Sequence, residues 1–224
     1  MAVKIECVAP DLWRLSLLGP DLVNAYVAGD ILIDAGGRFG GKKLVAALGR
    51  FHLTAHALTH GHMDHQGATH RVSRELGLPL FCGQGDRQAV ESGNLALLMA
   101  RPGSVMAHMS SLLGGPAHPV SRALTEGDRL GGFSVVETPG HTPGHLAFWR
   151  EEDGALILGD VLFHRNPATL RVGLAEPFAF ATWDREANRA SARKLAALEP
   201  RIICFGHGSP LRDGEAFRRF VEGL

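Results

Sequence analysis

An α/β fold in which helices cover packed sheets is what this 224-residue chain predicts, and three observations carry the prediction. Short apolar runs bounded by glycine recur in both halves, segments of helical period stand between and after them, and no linker or low-complexity stretch divides the chain. Residues 1–224 therefore read as one domain. Hydrophobic residues make up 45% of it, enough for a substantial core at this length.

The first half opens with strands at LWRLSLL (12–18) and NAYVAG (24–29), then DILIDAG (30–36), a short apolar run ended by glycines as in a buried strand. Lys42–Arg50 has helical period. HALTH (56–60) reads as a strand running into THGHMDH (59–65), and GATHRVSRELG (67–77) as a helix closed by Gly77. PLFCG (79–83) is the next strand. Residues 94–118 are rich in Met and Leu and broken by Pro102, Gly114 and Gly115, which suits one or two short helices. This segment is a candidate lid or insertion over a site; plain core and a dimer contact are the other uses open to it. The second half repeats the pattern, with strands in RLGGFSVVETPG (129–140), HLAFWRE (145–151), GALILGD (154–160) and RIICFGHG (201–208). Helices are expected at 184–200 and 214–223.

Lysine plus arginine and aspartate plus glutamate number 23 each, so the basic field of a nucleic-acid binder is absent. No apolar run approaches the ~18–20 residues of a membrane span. MAVKIECVAP lacks an apolar secretory segment, and three widely spaced cysteines argue against a disulfide framework. A cytoplasmic protein without nucleic-acid or membrane partners is the expectation.

Twelve histidines are the bias that matters. Ligand-type residues fall at the ends of four predicted strands: His60, His62, Asp64 and His65 in THGHMDH, His141 in TPGHTPGH, Asp160 in LILGDVLF and His207 in FGHG. Strand ends are where a rigid sheet can hold side chains in convergent positions. His60 and His62 point the same way if strand geometry continues through Gly61. Asp64 and His65 must then aim elsewhere, so a second ion is their natural partner. Imidazole plus carboxylate without thiolate suits zinc, iron or manganese.

On THGHMDH (59–65), PGHTPGH (139–145), LGDVLF (158–163), FGHG (205–208) and ILIDAG (31–36), the chain resembles the metallo-β-lactamase superfamily over nearly its whole length. The resemblance implies a four-layer αββα sandwich with metals at one sheet edge. It implies that His60, His62 and His141 hold one metal, that Asp64, His65 and His207 hold another, and that Asp160 bridges them. His145 would support the site, and Asp34 would lie beneath it. Aspartate at 160 is similar to thioester, ester and lactone hydrolases of the family.

The reading is a dinuclear metal-dependent hydrolase that attacks a carbonyl of a small acyl substrate with a metal-bridging hydroxide. Its cofactors are two divalent ions, zinc first, then iron or manganese. Asp64 and Asp160 are the candidate catalytic residues; Asp64 could orient the hydroxide and move a proton. Met106, His164, Arg165 and Asn166 are candidate substrate contacts, and a homodimer is possible. A mononuclear iron dioxygenase of the same fold and a phosphodiesterase are the alternatives, with a metal-binding protein without catalysis behind them. GGRFGGKK (36–43) nearly matches the phosphate loop G-x-x-x-x-G-K-[ST]. Lys43 replaces the required hydroxyl residue, so a glycine-rich turn explains it more simply.

Overall fold

The computed structural model of the chain describes residues 3–19 and 21–224. β1 (Lys4–Ala9), β2 (Leu12–Leu18), β3 (Val23–Ala28) and β4 (Ile31–Ile33) pair antiparallel in chain order. α1 (Gly41–Leu48) leads to β5 (Ala55–Ala57), and α2 (Met63–Gln66) and α3 (Thr69–Leu76) lead to β6 (Leu80–Gly83). α4 (Arg87–Ser92) and α5 (Val105–Leu113) then precede β7 (Arg122–Leu124). β4 to β7 run parallel, because each crossover carries helix. A second sheet begins with β8 (Arg129–Leu130), β9 (Phe133–Glu137), β10 (Leu146–Arg150) and β11 (Ala155–Ile157), paired antiparallel. β12 (Phe163–Arg165) and β13 (Val172–Ala175) form a separate ribbon, followed by α6 (Arg185–Ala196). β14 (Ile202–Cys204) returns parallel to β11, and α7 (Gly214–Glu222) closes the chain.

Period-two alternation decides which layer each residue joins. Tyr26, Ala28, Ile31 and Ile33 face Leu146, Phe148 and Ile157 of the second sheet, forming the central core. Their neighbours Ala25, Val27 and Leu32 face the other way, onto Leu44 and Leu48 of α1 and Val72 of α3. On the far side, Ala147 and Leu156 pack against Leu195 of α6 and Phe217 and Val221 of α7. The four-layer αββα arrangement follows.

The helix expected at 67–77 forms over Thr69–Leu76, with Gly77 left-handed at its end (φ 68°). Residues 94–118 hold a 3₁₀ turn at Leu95–Leu98 and α5, whose Ser104 hydroxyl caps the Ala107 N–H. β1, α4, β7 and the β12–β13 ribbon were not expected. β1 shows no burial alternation and β7 is only three residues long, so periodicity had nothing to detect. A second difference bears on the site. Strand geometry stops at Ala57, and after His62 the chain turns into α2 and does not continue extended. Among the described residues no helix is long and apolar enough to cross a membrane.

His56 of β5 is wholly buried, with Nδ1 against the Leu32 carbonyl (3.3 Å) and Nε2 against the Thr69 hydroxyl (3.0 Å). Burial pushes its pKa down to about 4. The folded value lies below the ordinary one, so the contribution is intact above pH 6.5 and is lost as pH falls towards 4. The size is about 3 kcal/mol. Denaturant unfolding at pH 7 and pH 4.5, with chelator present, should show this acid loss in the wild type and a smaller one in His56→Asn. Equal losses would assign the acid sensitivity elsewhere.

Candidate metal centre

The seven histidine and aspartate candidates converge at one edge of the two sheets, on loops that leave β5, β9, β11 and β14. Three groups of donors arise, with ligand atoms within 4.8 Å of one another: His60, His62 and His141; His60, His65 and Asp160; and Asp64, His65 and His207. The first and third are the two trios that the resemblance implies. Asp160 lies between them, its Oδ2 at 3.9 Å from His60 Nε2, 3.6 Å from His141 Nε2, 3.5 Å from His65 Nε2 and 3.0 Å from His207 Nε2. His60 and His62 come together just before α2, where His62 still has an extended backbone (φ −66°, ψ 156°).

Local structure fixes each donor. Asp34 follows β4 with a left-handed backbone (φ 61°), a strained conformation for a non-glycine residue. Its carboxylate accepts from the Thr59 N–H and hydroxyl, both at 2.8 Å, and from His65 Nδ1 at 2.8 Å. The last bond fixes the His65 tautomer and turns Nε2 towards the other donors. His145 does the same for Asp160. Its Nε2 accepts the Asp160 N–H (3.1 Å), leaving Nδ1–H for the Thr138 hydroxyl (2.8 Å). Burial pushes the His145 pKa down to about 3, so the ring is neutral as this role requires.

The loop carrying His207 is held from the first sheet. The Asn24 amide donates to the Phe205 and Gly208 carbonyls (3.0 and 2.6 Å), and the Tyr26 hydroxyl to Phe205 O (2.8 Å). The His207 ring bonds the Leu22 carbonyl through Nδ1. Gly206 is required here, because a Cβ at that position would lie 2.0 Å from Asp160 Oδ1.

A metal pair fits this arrangement. His60 Nε2, His62 Nε2, His65 Nε2 and Asp160 Oδ1 are buried without a hydrogen-bond partner, a costly state that coordination would relieve. The donors are imidazole and carboxylate alone; Cys82 and Cys204 lie elsewhere in the core. Burial holds the His60 and His141 pKa values well below the ordinary value and brings His62 down to about 4, so these three are neutral and able to ligate. Burial also opposes charge on Asp160, but His207 and His65 outweigh it and hold its pKa well below the carboxylate range.

A cavity of about 370 Å³ opens over the centre. Its walls include His62, Asp64, His141, Asp160 and His207 together with Met99, Met106, Met109 and Leu113 from the 94–118 segment and Phe163, Phe178 and Phe180. The expected contact Met106 lies in this wall. His164, Arg165 and Asn166 are not among its lining residues. His164 Nδ1 bonds Ser209 O, Arg165 donates to Leu170 O, and the Asn166 side chain caps the Ala168 and Thr169 amides. These bonds hold the ribbon loop, and Pro167 of that stretch lines the cavity.

Asp86 is among the residues that sequence reasoning missed, with Asn24 and Tyr26. Wholly buried before α4, it accepts from the Gly61 N–H (2.8 Å), the Thr142 hydroxyl (2.8 Å) and the Gly144 N–H (2.7 Å). One carboxylate thus ties the loop of His60 and His62 to the loop of His141. Burial raises its pKa to about 6 against the pull of those three bonds. The GQGDR context offered no signal, since an aspartate before a helix reads as a cap. Asp86→Ala should weaken metal retention about 10–100-fold, with Asn intermediate, by chelator competition on protein of unchanged circular dichroism. Unchanged affinity would show that the loops hold without it.

The family model of the metallo-beta-lactamase superfamily matches residues 18–207. Among curated relatives, the probable metallo-hydrolase YflN of Bacillus subtilis is 33% identical, covering 88% of this chain and 76% of its own. Hydroxyacylglutathione hydrolase GloC of Haemophilus influenzae is 30% identical over 97% of this chain and 96% of its own. Among solved structures, TTHA1623 in a di-iron-bound form superposes with TM-score 0.68 at 32% identity, covering 88% of this chain and 93% of that one. The BLEG-1 B3 metallo-beta-lactamase gives TM-score 0.69 at 28% identity, covering 91% and 95%.

Proposed function

Because the chain belongs to the metallo-β-lactamase superfamily, we propose that it is a dinuclear metal-dependent hydrolase of thioesters, esters or lactones with apolar acyl groups. The observation that carries this reading is Asp160, a buried carboxylate lying between two histidine-bearing trios at the floor of an apolar cavity. The relatives named for metallo-hydrolase and hydroxyacylglutathione hydrolase activity support the hydrolytic class. Zinc is the proposed metal, with iron and manganese compatible with the same donors.

Bound at these donors, divalent ions would acidify water and polarise a carbonyl. The chain's own residues do the rest. Asp160 and the five ligating histidines set the geometry. Asp64, whose side chain is 36% exposed and reaches the cavity, is placed to accept a proton there and return it to the departing oxygen or sulfur. Met99, Met106 and Met109 exclude water and adapt to acyl groups of different shape. A mononuclear iron oxygenase needs only one trio, which leaves Asp64, His65 and His207 without a ligating role.

Elemental analysis of the purified protein should find about two equivalents of metal per chain, the number such paired sites hold. Turnover is to be measured on thioesters, lactones, aryl esters, a β-lactam and a phosphodiester. Asp160→Asn and His62→Ala should each cost about 100-fold or more in kcat while the fold survives. A metal-free protein of full activity would sink the reading, and one iron per chain with oxygen uptake would favour the oxygenase. Met109→Trp should shorten the longest acyl chain accepted, read as a selective rise in KM for long substrates.

A further inference from the structure

The segment that departs from a phosphate loop builds a second cavity. Gly37, Arg38, Phe39, Gly40 and Lys43 line about 340 Å³ of space beside the metal centre. Leu17, Leu18 and Val23 at the end of the β2–β3 hairpin, with Leu113 of α5, supply apolar walls. Met63, Asp64 and Leu113 border this cavity and the one over the metal centre alike, so the two meet at Asp64. The cations here are Arg38 and Lys43, and Asp64 is the one acid. Neither cation has an acidic partner among the described residues. Arg38 lies over the Phe39 ring (5.5 Å) and donates to the Leu112 carbonyl (3.2 Å).

We propose that this second cavity holds the departing half of the substrate, an aliphatic alcohol or thiol that ends in an anionic group, carboxylate or phosphate. The proposal rests on the hydrolase reading and names its substrate more closely. The first cavity touches five of the seven donors, so the reacting carbonyl belongs there, whereas the second touches Asp64 alone and receives what lies beyond the reacting bond. Its leucine, valine and phenylalanine walls suit a methylene spacer. A peptide spacer would bury amides without partners, which is costly. Two unpaired cations then meet the anionic end. In the reaction the acyl–oxygen or acyl–sulfur bond breaks, the hydroxyl of water joins the acyl carbon, and the remaining proton goes to the departing oxygen or sulfur.

Isothermal titration with hexanoate, hexyl phosphate and 1-hexanol reads the cavity directly, and the two anions separate the carboxylate and phosphate cases. At least one anion should bind about fivefold or more tighter than the alcohol, the scale of one exposed ion pair. The double variant Arg38→Gln/Lys43→Gln should bind all three alike. A wild type without anion preference overturns the proposal, as does a preference that survives in the double variant, which would mark ligation at the metal centre instead. With one acyl group held constant, the thioester of 6-mercaptohexanoic acid should show a lower KM than that of 6-mercaptohexanol at equal kcat, and the double variant should erase the difference. If no acyl compound is hydrolysed the hydrolase reading fails, while the titration still decides whether the cavity binds anions.

Discussion

A carboxylate buried at the floor of a cavity is tenable only if cations or strong donors surround it, and Asp160 is the point from which the rest of this structure can be understood. It is 2% exposed, and imidazoles of His60, His65, His141 and His207 stand within 4 Å of its Oδ2. Those histidines arrive from both sheets. The charge is thus stabilised only when the two sheets are packed, so closing the sandwich and assembling the centre are one event.

Packing alone would leave four loops free to wander, and a layer of polar pins beneath the donors prevents it. Asp34 holds Thr59 and His65, Asp86 holds the two loops of the His60–His62–His141 trio, His145 holds the Asp160 backbone, and Asn24 with Tyr26 holds the loop of His207. Each pin is buried, so its hydrogen bonds act in a low-dielectric interior where leaving one unmade is costly. Above the donors the character changes. The cover is mainly methionine, leucine and phenylalanine, adaptable in shape, with the Ser110 hydroxyl as its polar group. Rigid support thus lies below the donors and a mainly apolar cover above them.

Much of the fold was legible because alternation and helical period report burial directly. LWRLSLL, DILIDAG and GALILGD each contain the strand they suggested, and Gly77 ends its helix for the reason its residue type implied. Elements with no periodicity escaped: β1 has no alternating burial, and β7 owes its pairing to β6 rather than to its own three residues. Strand pairing ends at Ala57, but the backbone stays extended at His62 and enters α2 only after it, which sets Asp64 and His65 on a helical turn as their spacing suggested.

By itself the sequence determined which side chains could bind metal and that they fall at strand ends, since residue type and local period are properties of short stretches. It also carried the resemblance that grouped them. Which polar residues support the donors and where the cavities open were decided only by the tertiary structure. Asp86 matters because residues 61, 142 and 144 meet around it, and His164, Arg165 and Asn166 hydrogen-bond to carbonyls and amides that the fold brings beside them. The GGRFGGKK turn gained a cavity from Leu17, Val23 and Leu113, residues distant in the chain. Such roles depend on contacts between separated segments, and these exist only once both sheets have closed on a common core.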